Sequence, residues 1–283
     1  MRQEEILQKL QKDLEMRGRS EETVREYVSK VRMYQEYYGV PAEELGIEAI
    51  QEYLHYLYVE KKLSASTVNT YNSAFRFVYG VTLDITMNYK KLARVKQTRR
   101  LPQIWTREEI SRIIESAGSL SHKAMLMLAY GSGLRLSEIF NLKVSDIDSK
   151  QMRILVRQGK GGKDRYALLP ETTLKTLREY WLSCKVKPRD WLFIDEKTSE
   201  KMRPSSVQGS IKTVVKRAGV SKNVSMHTLR HCFGTHMLND GRNIIDIKNL
   251  MGHTRISTTA LYLHSCDSEL YRIKSPLDTL NEV

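Results

Sequence analysis

Apolar side chains in the first ninety residues follow helical spacing and show no strand alternation, which restricts that stretch to a bundle of helices. Ile6, Leu7, Leu10 and Leu14 recur at the three-and-four interval of a single helix face. Ser20, with Glu21 and Glu22 behind it, has the chemistry of an N-cap and predicts a second helix running to Tyr37-Tyr38-Gly39. Residues 47–60 predict a third, with Ile50, Leu54 and Leu57 on one face. Residues 64–79 predict a fourth, with Val68, Tyr71, Phe75 and Val78 in register. A basic run follows, with Lys90, Lys91, Arg94, Lys96, Arg99 and Arg100, and closes at Pro102. Clustered charge ahead of a proline predicts a linker or arm over residues 91–104.

Beyond the arm the pattern is mixed. Thr106 is placed to cap a helix over 107–116, and residues 124–129 are an apolar helix. Residues 151–169 alternate and turn: Ile154 and Val156, then Gly159-Lys160-Gly161-Gly162-Lys163-Asp164, then Tyr166 and Leu168. This predicts a β-hairpin with a glycine-rich tip. Residues 190–195 read as a short strand, and helices are predicted over 172–181, 204–218, 227–238, 244–250 and 258–264.

Charge narrows the partner. Lys and Arg outnumber Asp and Glu by 46 to 33 in 283 residues, a formal net charge of +13, which suits a polyanion such as nucleic acid. A 41% hydrophobic content beside 28% charged residues is that of a folded chain. Cys184, Cys232 and Cys266 are scattered and odd in number, which points away from a disulfide framework and a structural zinc site. The N-terminus is a charged helix pattern rather than a signal peptide, and no apolar run is long enough to span a bilayer. A cytoplasmic protein without a membrane partner is expected.

The chemistry-bearing residues fall in the second region. His227 and Arg230, three apart on a helix, share a face and suit a phosphate, with a planar fork of donors beside an imidazole. Gly252 ahead of His253 reads as a helix end that turns the imidazole inward, and Ser257 or Thr258 is placed to cap a helix leading to Tyr262. Upstream, Arg135 follows the turn Gly131-Ser132-Gly133-Leu134, and Glu138 is placed three residues on to hold its guanidinium. A plain Arg135–Glu138 salt bridge is the bland alternative. His231 and His236 read as local hydrogen-bonding or packing residues, and Tyr271 is the rival to Tyr262.

Taken together, Gly-Leu-Arg135-x-x-Glu138, Gly-Lys160-Gly, His227-x-x-Arg230, Leu-Met-Gly-His253 and Thr-x-x-Tyr262 resemble the tyrosine recombinase (phage integrase) family, in particular Xer-type recombinases and compact mobile-element integrases. Order and spacing both fit, with twenty-three residues from Arg230 to His253 and nine from there to Tyr262. The resemblance implies a two-domain fold: an all-α, SAM-like core-binding domain over 1–90, the basic linker over 91–104, and a mixed α+β, mainly helical catalytic domain over 105–283. That domain carries a small antiparallel sheet and a C-terminal tail from about residue 265. The two domains would form a C-shaped clamp on duplex DNA. The resemblance makes Tyr262 the nucleophile and Arg135, Lys160, His227, Arg230 and His253 its catalytic partners, with Glu138 in support. Neither metal nor ATP nor any other cofactor is implied. Lys91, Arg94, Lys96, Arg99, Arg100, Lys163 and Arg165 would contact DNA. The implied partners are duplex DNA carrying a specific recombination site, further copies of the chain as a tetramer docked through the tail, and a second recombinase or accessory protein. Two other functions share parts of the pattern: relaxation of DNA in the manner of a type IB topoisomerase, and DNA binding by a catalytically silent regulator.

Overall fold

The computed structural model describes residues 2–96, 104–157, 164–195, 198–220 and 226–260. The chain divides into two compact units, Met1–Arg99 and Arg100–Val283.

The described part of the first unit is helical. Helix α1 (Gln3–Met16) buries Ile6, Leu7, Leu10 and Leu14, each contributing roughly 1.5–3 kcal/mol when withdrawn from water. Helix α2 (Glu21–Tyr38) starts where Ser20 accepts a hydrogen bond from the Thr23 amide at 3.3 Å and stops at Gly39, whose φ of 74° ends it in the left-handed conformation. Helices α3 (Ile47–His55) and α4 (Ala65–Phe77) each run on into a wider π turn, Tyr56–Glu60 and Val78–Thr82. Ser64 caps α4 through the Thr67 amide. The core is aromatic at its centre: Tyr34 is fully buried, 4.6 Å from the ring of Phe75 and 5.2 Å from that of Tyr53.

The beginning of the expected linker belongs to this unit. Asn69 exchanges two 2.9 Å hydrogen bonds with the backbone of Val95, and Asn72 and Arg76 both donate to the Leu92 carbonyl. Leu92 is buried. Polar side chains spaced along one face of α4 therefore pin the chain as far as residue 95, a lateral contact that charge clustering does not report. The side chains of Lys91, Arg94 and Lys96 stay exposed. Arg99 and Arg100 lie outside the described residues.

In the second unit, Thr106 and Glu109 form a reciprocal capping box at the start of α5 (Arg107–Glu115). The apolar helix α6 (Leu120–Gly131) is the centre of the core, packed against α5, against α7 (Leu136–Phe140), against α8 (Glu171–Ser183) and against α10 (Met226–Asn239). Helices α9 (Pro204–Arg217), α11 (Ile244–Met251) and α12 (Ile256–Thr259) complete the described helices. The antiparallel sheet has the order β1 (Ile147–Asp148), β2 (Arg153–Val156), β3 (Arg165–Leu168).

Three local expectations change. On β3 the inward residues are Arg165 and Ala167, paired with the buried Val156 and Ile154, and not Tyr166 and Leu168, which are 49% and 40% exposed. The Tyr166 ring is covered from outside by the Arg153 guanidinium, 4.0 Å from its centroid, so an aromatic residue is accommodated on the solvent face. Residues 190–195 make isolated bridges, Lys143 to Trp191 and Ile194 to Lys201, instead of a strand. Helix α12 begins at Ile256, ahead of the expected Ser257 or Thr258 cap, with Arg255 at the N-cap and no side-chain hydrogen bond there.

Candidate active site

The site is organised by two glycines in the left-handed conformation. Gly133, at φ 63°, closes the turn after α6, where a Cβ would stand 2.5 Å from the Phe233 ring. Gly252, also at φ 63°, ends α11 and would place a Cβ 2.8 Å from the Arg165 side chain. Both conformation and space therefore require glycine. The carbonyls these turns expose become acceptors for the two expected catalytic arginines.

Arg135 occupies the N-cap of α7. Its amide donates to one Glu138 oxygen at 2.8 Å, its guanidinium to the other at 2.7 Å, and its second terminal nitrogen reaches the Gly252 carbonyl at 3.3 Å. Arg230, on α10, is 1% exposed and donates to the carbonyls of Gly133 and Met251, with Glu138 3.6 Å away. A buried cation is tolerable only with such partners. The turn before α7, helix α10 and the end of α11 are thereby tied through one guanidinium.

Arg165, a residue the resemblance would place on DNA, donates from its terminal nitrogens to both Glu138 oxygens at 2.9 and 2.8 Å and from its Nε to the Leu250 carbonyl at 3.0 Å. Its place on the inner face of β3 turns it toward the core. Periodicity held the signal: 165, 167 and 169 form the inward set, with Ala167 and Leu169 each only 2% exposed.

Glu138 thus collects three guanidiniums. Burial pushes its carboxyl pKa up, but hydrogen bonds and charge from Arg165, with the backbone and charge of Arg135, outweigh burial and hold it below the ordinary value. Among the described residues, three guanidiniums share this one carboxylate, so positive charge is in excess there.

The imidazoles of His227, His231 and His253 are all held below their ordinary pKa. His253 is pushed down to about 3 by burial and then by the charges of Arg230 and Arg135. His227 is lowered by burial and by the same two arginines. His231 falls to about 4 through burial, His227 and Arg230. Its ring packs 4.5 Å from that of His227, edge to face. His236 pairs with the Tyr130 hydroxyl at 3.0 Å. The Nδ1 of His253 is 2.9 Å from the hydroxyl of Thr259, fully buried on α12 and three residues before Tyr262 in sequence. Sequence reading used that threonine only as a motif letter. Lys160, Lys163 and Tyr262 lie outside the described residues.

Such a cluster can hold a phosphodiester and strengthen its grip as negative charge grows. Comparison with known proteins supplies the family. Residues 103–269 match the phage integrase family and residues 6–88 its N-terminal SAM-like domain. The chain belongs to the phage integrase family. A putative integrase/recombinase, y4qK of Sinorhizobium fredii, is 33% identical to this integrase-family chain over 276 residues, covering 97% of it and 89% of the relative. The tyrosine recombinase XerA of Pyrococcus horikoshii is 32% identical over 261 residues, covering 91% and 88%. The fold is that of lambda integrase residues 75–356, solved as a dimer bound to a core site, with a TM-score of 0.73 at 20% identity over 93% of this chain and 95% of that one. This phage integrase-family member is a tyrosine-type site-specific DNA recombinase, with a helical SAM-like domain and a mainly helical catalytic domain bearing a small antiparallel sheet. Among its described residues no helix is long and apolar enough to cross a membrane.

Proposed function

We propose that this recombinase cuts DNA by attack of the Tyr262 hydroxyl oxygen on a backbone phosphorus, with Arg135, Lys160, His227, Arg230 and His253 carrying the step. The observation that supports this reading most strongly is the excess of positive charge where Arg135, Arg165 and Arg230 share the single carboxylate of Glu138.

A phosphodiester enters with one negative charge and gains a second in its five-coordinate transition state, so the cluster binds that state better than the substrate. Arg135 and Arg230 hold the non-bridging oxygens, and His253 donates a hydrogen bond to them. His227, its pKa lowered by burial and by the charges of Arg230 and Arg135, accepts the phenol proton. The tyrosyl oxygen–phosphorus bond forms as the bond to the 5′ oxygen breaks, and Lys160 supplies that oxygen with its proton. A 3′-phosphotyrosyl link and a 5′ hydroxyl result. Attack by the 5′ hydroxyl of a second strand reverses each transfer: Lys160 recovers its proton and His227 returns one to Tyr262. The covalent link conserves the phosphodiester's energy, so ATP is not required.

The DNA is duplex and carries a specific site. Lys91, Arg94 and Lys96, together with Arg99, Arg100 and Lys163, neutralise its phosphates. Four copies work on two sites, the tail from about residue 265 docking on a neighbour, and the reaction takes place in the cytoplasm, where the DNA lies. The dimeric lambda integrase on its core site supports assembly on DNA.

The test is covalent capture from a library of nicked duplexes. The wild-type chain should retain DNA through denaturing electrophoresis, and Tyr262→Phe should retain none. Equal capture by the Phe variant removes Tyr262 as nucleophile.

A further inference from the structure

We propose that Arg165 is a positioning residue of the cleavage site: by gripping Glu138 and the Leu250 carbonyl it locks β3 to α7 and α11, so that the strand leading from Lys160 and the guanidinium of Arg135 share one frame. The proposal rests on the tyrosine-recombinase reading of the chain.

Register sets the direction. Arg165 pairs with the buried Val156 and shares its face with Ala167, so its side chain leaves the sheet toward the core, where it is 11% exposed. An inward guanidinium is costly without acceptors, and here each of its three nitrogens meets one. The two terminal nitrogens take the two carboxylate oxygens at 2.9 and 2.8 Å, and Nε takes Leu250 at 3.0 Å. Three contacts in one plane fix rotation as well as position. A lysine ammonium, a point charge on a flexible stem, cannot reproduce that geometry.

The grip lies between catalytic groups. The Glu138 oxygen that Arg165 meets at 2.9 Å also receives the Arg135 guanidinium, and the oxygen at 2.8 Å receives the Arg135 amide. Gly252, whose carbonyl holds Arg135, is the residue whose missing Cβ leaves room for the Arg165 side chain. Lys160 precedes Arg165 by only five residues in sequence, so the position of β3 bears on where Lys160 can reach. With both terminal nitrogens on Glu138 and Nε on Leu250, Arg165 acts on the reaction through its neighbours rather than on the phosphate.

The experiment compares the full-length wild type, Arg165→Ala, Arg165→Lys, Glu138→Gln and the Arg165→Ala/Glu138→Gln double variant, on a nicked duplex bearing the site captured by the wild-type chain. Single-turnover cleavage at saturating DNA is read beside DNA affinity across a salt series. Arg165→Ala should slow cleavage about 100-fold, the loss that follows a displacement of about 1 Å in a reacting frame, with affinity within about twofold and the salt slope unchanged. The double variant should cleave within about threefold of the slower single variant, because both remove one linkage. Arg165→Lys should cleave as slowly as Arg165→Ala while binding as the wild type does and melting above Arg165→Ala, a split that loss of general stability does not produce. Cleavage near the wild-type rate at saturation, with weaker binding and a salt slope reduced by about one phosphate, makes Arg165 a DNA contact and overturns the proposal. So do additive losses in the double variant. If Arg165→Ala does not fold, Arg165→Lys decides by the same split. A wild-type chain that captures no duplex overturns the recombinase reading by itself. Thermal unfolding of the same proteins then judges the linkage, non-additive melting supporting it and additive melting overturning it.

Discussion

Replacing Gly133 by alanine should damage both stability and cleavage, and the structure gives the size of the first effect. Its φ of 63° lies where an L side chain costs about 1–2 kcal/mol. The added methyl would stand 2.5 and 2.7 Å from two ring carbons of Phe233, an overlap that costs about 1–3 kcal/mol when a packed core must yield. The total, about 2–5 kcal/mol, corresponds to a fall of about 4–20 °C in the melting of a unit the size of Arg100–Val283. The Gly133 carbonyl holds Arg230, so the relief of the clash also moves that guanidinium and cleavage should fall with it. Calorimetry of Gly133→Ala, Phe233→Leu and the double variant separates the two costs. Trimming the ring should recover about 1–3 kcal/mol of the glycine penalty and leave the backbone part. Additivity within about 0.5 kcal/mol would show that the ring is not what alanine meets, and the argument would fail.

Acid should weaken the second unit before it titrates ordinary carboxylates. His253 at about 3 and His231 at about 4 are neutral in the fold, while the unfolded chain binds protons below about 6.5. Between those values the unfolded state carries more protons, so stability is complete above about pH 6.5 and is lost as pH falls toward 4 and then 3; the lowered Glu138 acts in the same sense at the acid end. Melting temperature against pH checks this, and a flat or rising melting temperature from pH 7 to 4.5 would contradict it. Deleting residues 266–283 should leave covalent capture of a single site intact and reduce joining of two sites severalfold, measured by gel shift of the paired complex; full pairing by the truncated chain would remove the tail from assembly.

Much of this molecule could be read from its letters because the signals were local. Ile6, Leu7, Leu10 and Leu14 mark one helix face, Ser20 and Thr106 lie three residues from the amides they cap, and Arg135 with Glu138 closes a box within one turn. What escaped were decisions made across space. Tyr166 and Leu168 form as good an apolar alternation as Ala167 and Leu169, and the second set is favoured by pairing with the buried Ile154 and Val156 and by the Arg153 guanidinium lying over Tyr166. The first set would turn Arg165 outward. Asn69, Asn72 and Arg76 held no visible purpose until the backbone of residues 89–95 lay along them. The hydroxyl of Thr259 acquires its meaning from His253, six residues away on the other side of a helix start.

The arginine cluster also bears on when the enzyme comes into existence. Arg230 meets Gly133 across ninety-seven positions, Arg135 meets Gly252 across one hundred and seventeen, and Arg165 meets Leu250 across eighty-five. Contacts between such distant positions form late, after the loop entropy between them has been overcome, whereas helices such as α5 and α6 can form early. A chain emerging from the ribosome therefore has its scaffold before its chemistry. Until residues near 252 have been made and docked, Arg135 and Arg165 lack their carbonyl acceptors and Arg230 lacks one of its two, so a half-synthesised molecule has no complete centre with which to cut DNA.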